Sequence, residues 1–351
     1  MRRGNARVGT ILVLGDIIVD VIGRVKAWPN PGDDCWASRL ELHCGGVAAN
    51  CAMALASWGM QARLLGCVGQ DAFGDYLLES LAKRRVDAHW VQRTDETMTG
   101  LLYVNVTPDG QRTFFGSRGA NGLVRRVPQN STFYAGVIGA SLVGYNFLDP
   151  ATEKAARQII KTIRSRGGWV SMDAGVGPCK QIPRKLLKVC GEVDILFVGQ
   201  EEATLLTGMQ DDRKAYASLA KTGVREVVLK IGKRGCLISD GENGQLRRVP
   251  SFPIKAVDTT GAGDSFVAAF LHARVQGWPT TEAALLANTA GAVTASIVGA
   301  GEKLPSPQDV IRLLRTSRLN SQWDPLRLRI VERLQKTLRN APSSQNARRP
   351  A

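Results

Sequence analysis

Short runs of largely apolar residues recur along this chain at Ile11–Leu14, Val137–Val143, Trp169–Met172, Ile195–Val198 and Val227–Ile231. Each is too short for a core helix, and none shows the in-out alternation of a half-solvated strand. They read as strands buried on both faces, the signature of a parallel sheet. A helical pattern, Ala151–Ser165, fills the space between the second run and the third. Such alternation predicts an α/β fold: a doubly wound, mostly parallel sheet with right-handed crossovers. Sheets of this kind bind ligands beyond the carboxyl ends of their strands. Ile11–Leu14 runs into Gly15-Asp16, and Asp20 follows. Charged groups there need partners. Sugar hydroxyls would serve, and so would water around a solvated loop.

Further elements fit the same plan. Ala62–Val68 reads as another buried strand, Tyr76–Arg84 as a helix, and Trp169–Met172 ends at Asp173. Thr97–Val106 and Gln111–Ser117, separated by Thr107-Pro108-Asp109-Gly110, predict a hairpin. Together with the extended segment 23–43 it makes a small second sheet of about four strands. Gln200–Leu206 is helical, and Gly232-Lys233-Arg234-Gly235 is a tight turn into Cys236–Ser239. Glu242–Val249 reads as an antiparallel edge strand. Ser265–Gln276 and Thr281–Val298 form a helical hairpin, and Asp309–Leu314 a short helix. Leu326–Leu338 is an amphipathic helix with a basic face, which suits packing on the body or on a partner subunit. Residues 1–8 and 341–351 read as a disordered lead and tail.

The net charge of +15 invites a nucleic-acid reading, but nine of those charges fall in residues 1–7 and from Thr316 onward. The body is only mildly basic, which suits an enzyme for anionic nucleotides, and nucleic acid is not expected as the main partner. Seven scattered cysteines without a Cys-x-x-Cys read as reduced thiols of a cytoplasmic protein. Three histidines, His43, His89 and His272, show no ligand-like grouping. Asp16 and Asp20 interrupt the early apolar stretch, which argues against a signal peptide. No long uncharged run predicts a membrane span.

Two glycine-rich helix starts stand about 210 residues apart. One is Cys44-Gly45-Gly46-Val47-Ala48-Ala49-Asn50, opening a helix Ala48–Trp58 with Asn50 on its first turn. The other is Asp258-Thr259-Thr260-Gly261-Ala262-Gly263-Asp264-Ser265-Phe266. A helix N-terminus offers unpaired N–H groups and partial positive charge, and small residues let an anion approach them. Asp264 in the same turn adds a proton acceptor. Nest plus base is what phosphoryl transfer requires. On spacing alone the stretch is equally a helix start with an aspartate cap. There is no GxxxxGK[ST] loop, so P-loop nucleotide binding is excluded.

With both starts in place, the sequence resembles the ribokinase-like, phosphofructokinase-B type carbohydrate kinases over residues 10–312. The first signature is Gly45-Gly46-Val-Ala-Ala-Asn50, continued by Gly66-Cys-Val-Gly69-Gln-Asp71-Ala-Phe-Gly74-Asp75. The second is Asp258-Thr-Thr-Gly261-Ala-Gly263-Asp264-Ser-Phe266. The resemblance implies a kinase domain over 8–312, with lid segments at about 23–43 and 97–117, followed by a basic extension over 313–351. It implies transfer of the γ-phosphoryl group of ATP to a primary hydroxyl of a small sugar or sugar acid, of the fructose, ribose or ketodeoxygluconate type. Asp264 would be the general base, and the backbone of Gly261, Ala262 and Gly263 the anion hole. Asp16, Asp20, Gly45, Gly46 and Asn50 would hold sugar hydroxyls. Gly232 and Gly235 would lie by the nucleotide, and Asn288 beside the adenine. Mg²⁺ would arrive with ATP and meet Glu202 through water. A monovalent cation such as K⁺ would sit by the backbone of Asp258 and Thr260. The lid would close over the sugar and could join two copies into a homodimer.

Departures from the family pattern sharpen these expectations. Where the family has Asn-x-x-Glu, this chain reads Gly199-Gln-Glu-Glu202. Where ribokinases read Gly-Gly-Lys-Gly-Ala-Asn, this chain has Val47 and Ala48, which favours an unphosphorylated sugar. Arg118 or Asn121 could contact the substrate or be ordinary hinge residues. A nucleoside kinase of the same fold and a non-catalytic binding relative are the alternative readings.

Overall fold

The computed structural model describes residues 9–108, 112–239, 244–297 and 304–340. The expected lead at 1–8, the tail at 341–351 and the tip of the lid hairpin lie outside them. The chain opens with β1 (Thr10–Leu14), β2 (Ile18–Arg24), β3 (Arg39–Gly45), α1 (Val47–Ser57), β4 (Gln61–Leu65) and β5 (Cys67–Gly69). Next come α2 (Ala72–Lys83), β6 (Gln92–Thr94), β7 (Gly100–Val106), β8 (Arg112–Ser117), β9 (Val137–Val143) and α3 (Pro150–Ser165). They are followed by β10 (Trp169–Asp173), α4 (Val176–Gln181), α5 (Pro183–Cys190), β11 (Ile195–Gly199), α6 (Gln200–Thr207) and α7 (Asp212–Ala220). The last elements are β12 (Glu226–Lys230), β13 (Cys236–Ser239), β14 (Leu246–Val249), α8 (Ala262–Val275), α9 (Thr280–Ala295), α10 (Pro307–Thr316) and α11 (Asp324–Asn340).

The main sheet has eight strands in the order β14-β13-β12-β11-β10-β9-β1-β4, parallel from β12 to β4 and antiparallel at the β13 and β14 edge. Its strands show why they had to be apolar throughout. In β1, Ile11 and Val13 belong to the core that includes α1, α8 and α9 on one face, while Leu12 and Leu14 belong to the core that includes α3 and α5 on the other. A second sheet, β3-β2-β7-β8, stands apart as the lid. Among the described residues no helix is long and apolar enough to cross a membrane.

Two local outcomes differ from the sequence reading, and a third matches the body-packed placement expected of the last helix. The lid begins at Ile18, because β2 starts three residues after β1 ends and turns away from the main sheet. Asp20 therefore rides on the lid, whereas Asp16 stays at the end of β1. The expected strand Ala62–Val68 breaks at Gly66, where a Cβ would stand 2.9 Å from the Gly15 carbonyl oxygen. Beyond the break, β5 pairs with β6 instead of continuing in the main sheet. Finally, α11 is no appendage. Leu326, Ile330, Val331 and Leu334 are buried in the core shared with α9 and α10, and Arg333 pairs with the buried Glu282 at 3.2 Å.

Candidate active site

The two glycine-rich helix starts face one another. Asn50, on the first turn of α1, donates from Nδ2 to Oδ2 of Asp264 at 2.9 Å, on the first turn of α8. Gly261 precedes α8 in the left-handed region, at φ 72°, a conformation costly for residues with a Cβ. Phe266 and Phe270 fix the helix start: both are buried, and Phe270 meets Phe197 of β11 edge-on at 5.3 Å. Of the three amides expected to form the anion hole, that of Ala262 donates to the Thr259 carbonyl at 3.2 Å. The first helical bond runs from Ser265 N to Gly261 O at 2.9 Å. The amides of Gly263 and Asp264 lie before it in the first turn, where a helix provides no acceptor.

Burial raises the Asp264 pKa to about 7; the nearby Asp173 carboxylate adds to the rise, while the Asn50 hydrogen bond and Lys230 oppose it. A carboxyl poised there can exchange a proton near neutral pH. Asp20 reaches the same space from the lid, close enough to push the Asp264 pKa further up. Its own pKa is raised to about 6 by burial, against the opposing pull of His43, its cross-strand partner on β3. The Asp20 carboxylate lies over Gly45, whose Cβ would come within 2.1 Å of Oδ2. A Cβ on Gly46, at φ 95°, would come within 2.3 Å of the Asp16 carbonyl oxygen.

Asp16 is buried and already engaged. Arg118, just after β8, grips both its oxygens at 3.0 and 2.8 Å and also pairs with Asp149. The Asn121 side chain clamps main chain: its amide accepts from Ile17 N at 2.7 Å and donates to the carbonyls of Ile17 and Arg118. In the continuation of the first signature, Asp71 caps α2 through Gly74 N and takes the Thr99 amide and hydroxyl at 2.7 Å each.

Behind Asp264 a cleft of about 770 Å³ runs between α8, α9 and the β12–β13 turn. It is lined by Lys230, Gly232, Gly235, Gly263 and Asn288, so the nucleotide residues named from the sequence gather on one wall. Their local roles differ. A Cβ on Gly232 meets nothing within 4 Å, whereas one on Gly235 would lie 1.9 Å from the Val249 carbonyl oxygen. Gly235 is therefore demanded by the neighbouring strand. Asn288 is buried, and its amide donates to the carbonyls of Val249 and Pro250 at 3.1 Å each, tying α9 to the end of β14. Thr260 N donates to Asp258 Oδ1 at 2.9 Å, and Asp258 N donates to Ala295 O at 3.2 Å, which pins the loop before α8.

Two residues without a role in the sequence reading complete the site. Asp173 ends β10 and Lys230 ends β12, and Lys230 Nζ contacts both Asp173 oxygens at 3.1 and 2.9 Å. Burial pulls the Lys230 pKa down, but Asp173 and Glu202 outweigh it and hold the group charged. Glu202, on the first turn of α6, accepts the Gly199 amide, and burial moves its pKa up. The signal for this pair was a charged residue closing an otherwise apolar parallel strand.

The profile of the pfkB family carbohydrate kinase matches residues 9–307. This chain belongs to the pfkB family. Ribokinase of Haemophilus influenzae is 26% identical over 87% of this chain and 98% of its own length. Fructokinase of Klebsiella pneumoniae is 30% identical over 87% of this chain and 99% of its own. The structure of Arabidopsis thaliana ribokinase complexed with ribose and ATP superposes with a TM-score of 0.76 at 26% identity, covering 88% of this chain and 99% of that one. The pfkB chain described here is thus an ATP-dependent carbohydrate kinase of the ribokinase and fructokinase group, and its small sheet is the lid of that fold.

Proposed function

We propose that this kinase transfers the γ-phosphoryl group of ATP to a primary hydroxyl of a small sugar or sugar acid. The observation that carries the reading is Asp264, with a pKa near 7, held by Asn50 between the lid side and the cleft. Asp264 takes the hydroxyl proton as the acceptor oxygen attacks phosphorus. The first-turn amides of α8 receive the charge on the transferring group, where fixed dipoles cost no reorganisation. Asp20, Gly45, Gly46 and Asn50 orient the polyol from the lid side. Asp16 meets the substrate in company with Arg118. Gly232, Gly235 and Asn288 shape the nucleotide side of the cleft. Lid closure excludes water, which would otherwise compete as acceptor.

Among the described residues no three carboxylate, thiol or imidazole groups converge closely enough to hold a metal alone. That donor set fits Mg²⁺ carried in on nucleotide phosphates with most of its waters retained, with Glu202 as the outer carboxylate. When bound, the metal offsets charge on the phosphates. The backbone of Asp258 and Thr260 is our proposed site for a monovalent cation such as K⁺. Exposed apolar residues concentrate on the lid, where Leu40 is 60%, Phe115 79% and Trp36 89% exposed. We read that face as the contact of a homodimer. Its test is sedimentation of wild type against Trp36→Ser; a monomeric wild type, or a dimer whose affinity the change leaves untouched, sinks it. The buried reduced thiols suit a cytoplasmic enzyme.

ATP consumption across free sugars, sugar acids, sugar phosphates and nucleosides tests the main reading. Turnover with a free sugar or sugar acid, lost in Asp264→Asn, is the expected outcome. Turnover confined to nucleosides moves the chain to the alternative activity of the same fold. No turnover on any alcohol, or an unchanged rate in Asp264→Asn, overturns the assignment.

A further inference from the structure

Lys230 is a part-buried cation that the reaction as written above does not use. It closes β12, and in the parallel ladder it lies directly beside Gly199, the last residue of β11. Neighbouring strands are about 4.8 Å apart, and residues in register share a face. Gly199 carries no side chain, so Lys230 is the polar group of that row. Its Nζ spends contacts on both Asp173 oxygens, at 3.1 and 2.9 Å. An ammonium has three protons, so at least one remains.

The position of that nitrogen is informative. It lines the 770 Å³ cleft, and it stands 3.5 Å from the point a Cβ on Gly263 would occupy. The Gly263 amide belongs to the first turn of α8. An anion accepted by that amide is therefore within reach of Nζ as well. Asp264, Asp173 and Glu202 all act electrostatically on Lys230. With three carboxylates around one lysine, the local charge would repel a phosphoryl group if the lysine were absent.

We propose that Lys230 is a catalytic residue of this chain: its ammonium holds the transferring phosphoryl group against the first-turn amides of α8. This deepens the function proposed above and rests on it. In the step, the acceptor hydroxyl oxygen forms a bond to the γ-phosphorus of ATP. The bond from that phosphorus to the β-bridging oxygen breaks, and its electron pair leaves on ADP. The hydroxyl proton passes to Asp264. Lys230 gives up no proton; it offsets charge on the equatorial oxygens. Asp173 is the positioning residue that aims it, and Gly199 leaves the approach open.

The test compares Asp173→Asn with the double variant Asp173→Asn/Lys230→Met, because Lys230→Met alone leaves Asp173 buried without its partner. Folding is checked by circular dichroism. With the sugar that wild type phosphorylates, the double variant is expected to be about 10²–10³-fold slower in kcat than Asp173→Asn, as for loss of one oxyanion donor. Its sugar KM should stay within about threefold. Equal kcat in the two variants overturns the proposal and leaves Lys230 a neutraliser of Asp173. If wild type turns over no alcohol, the kinase reading itself has failed. ATP binding measured calorimetrically without sugar then decides the lysine: affinity about tenfold weaker in the double variant supports it, and equal affinity overturns it.

Discussion

The two glycine-rich helix starts use one device for different ends. At α1 the glycines serve close packing: Gly45 makes room for the Asp20 carboxylate and Gly46 for the Asp16 carbonyl. Of the first-turn amides there, Ala49 N donates to Asp16 O at 3.4 Å, while the Asn50 N to Gly46 O bond at 2.8 Å is the counterpart of Ser265 N to Gly261 O at α8. At α8 the glycines serve access. Gly261 makes the left-handed turn, and among the described residues beyond its own helix turn a Cβ on Gly263 would meet Lys230 Nζ, at 3.5 Å. In the proposed function, one start shapes the place for an alcohol, and the other leaves amides and a carboxyl for the chemistry. A Gly-Gly or Gly-x-Gly string thus does not state its own purpose; the atoms a Cβ would strike do.

The largest expected break in this contrast is Asp264→Asn. Removing the proton acceptor should lower kcat by about 10²–10⁴-fold while sugar binding persists; steady-state kinetics with calorimetric sugar binding checks it. The same change bears on stability. Because the folded-state pKa of Asp264 is raised to about 7, the native state holds a proton that the unfolded chain releases near pH 4. Stability is therefore lost as pH rises through 7. Asp264→Asn should raise Tm by about 2–4 °C at pH 8 and less at pH 5, which differential scanning calorimetry reads directly.

Gly45→Ala is next. A methyl 2.1 Å from Asp20 Oδ2 must displace that carboxylate. Sugar KM should rise about tenfold or more, with ATP KM unchanged and a smaller effect on kcat. Equal losses at both substrates would erase the distinction between the two starts.

A subtler break is Asn50→Ala. The Asn50 hydrogen bond favours the charged form of Asp264, so its loss raises that pKa further. The acid limb of kcat against pH should move to higher pH. A limb that stays put shows that Asp264 does not govern it.

The smallest effect is expected at Asp71→Ala, in the continuation of the first signature. Asp71 caps α2 and holds Thr99. Its loss should cost about 1–2 kcal/mol of stability in denaturant unfolding and leave sugar KM near wild type.

Much of this was legible in the sequence, for physical reasons that can be named. The parallel sheet showed itself because strands buried on both faces must be apolar at every position, as in Ile11–Leu14. The lid edge did not, because Ile17–Ile22 continues the apolar stretch and the change of sheet at Ile18 leaves no mark in composition. The glycine starts drew attention to Asp264 and Asn50. Asp173 and Lys230 stayed hidden because each is one charged residue at a strand end, and its partner comes from a strand 57 residues away. Asn121 looked like a polar loop residue. Only its three main-chain bonds mark it as a clamp.

That clamp has a mechanical consequence. Asn121 ties Ile17 to the Arg118–Asn121 turn, next to the ends where β2 and β7 begin pairing in register at Ile18 and Gly100. A lid turning about this clamp would move as a plate on a pivot. At about 3.3 Å per residue, Asp20 lies roughly 7 Å along the plate from Ile18 and Arg24 about 20 Å. Any rotation moves the rim near Arg24 about three times as far as Asp20. Such a plate would swing wide at its edge while the carboxylate that faces Asp264 stayed within arm's length of it.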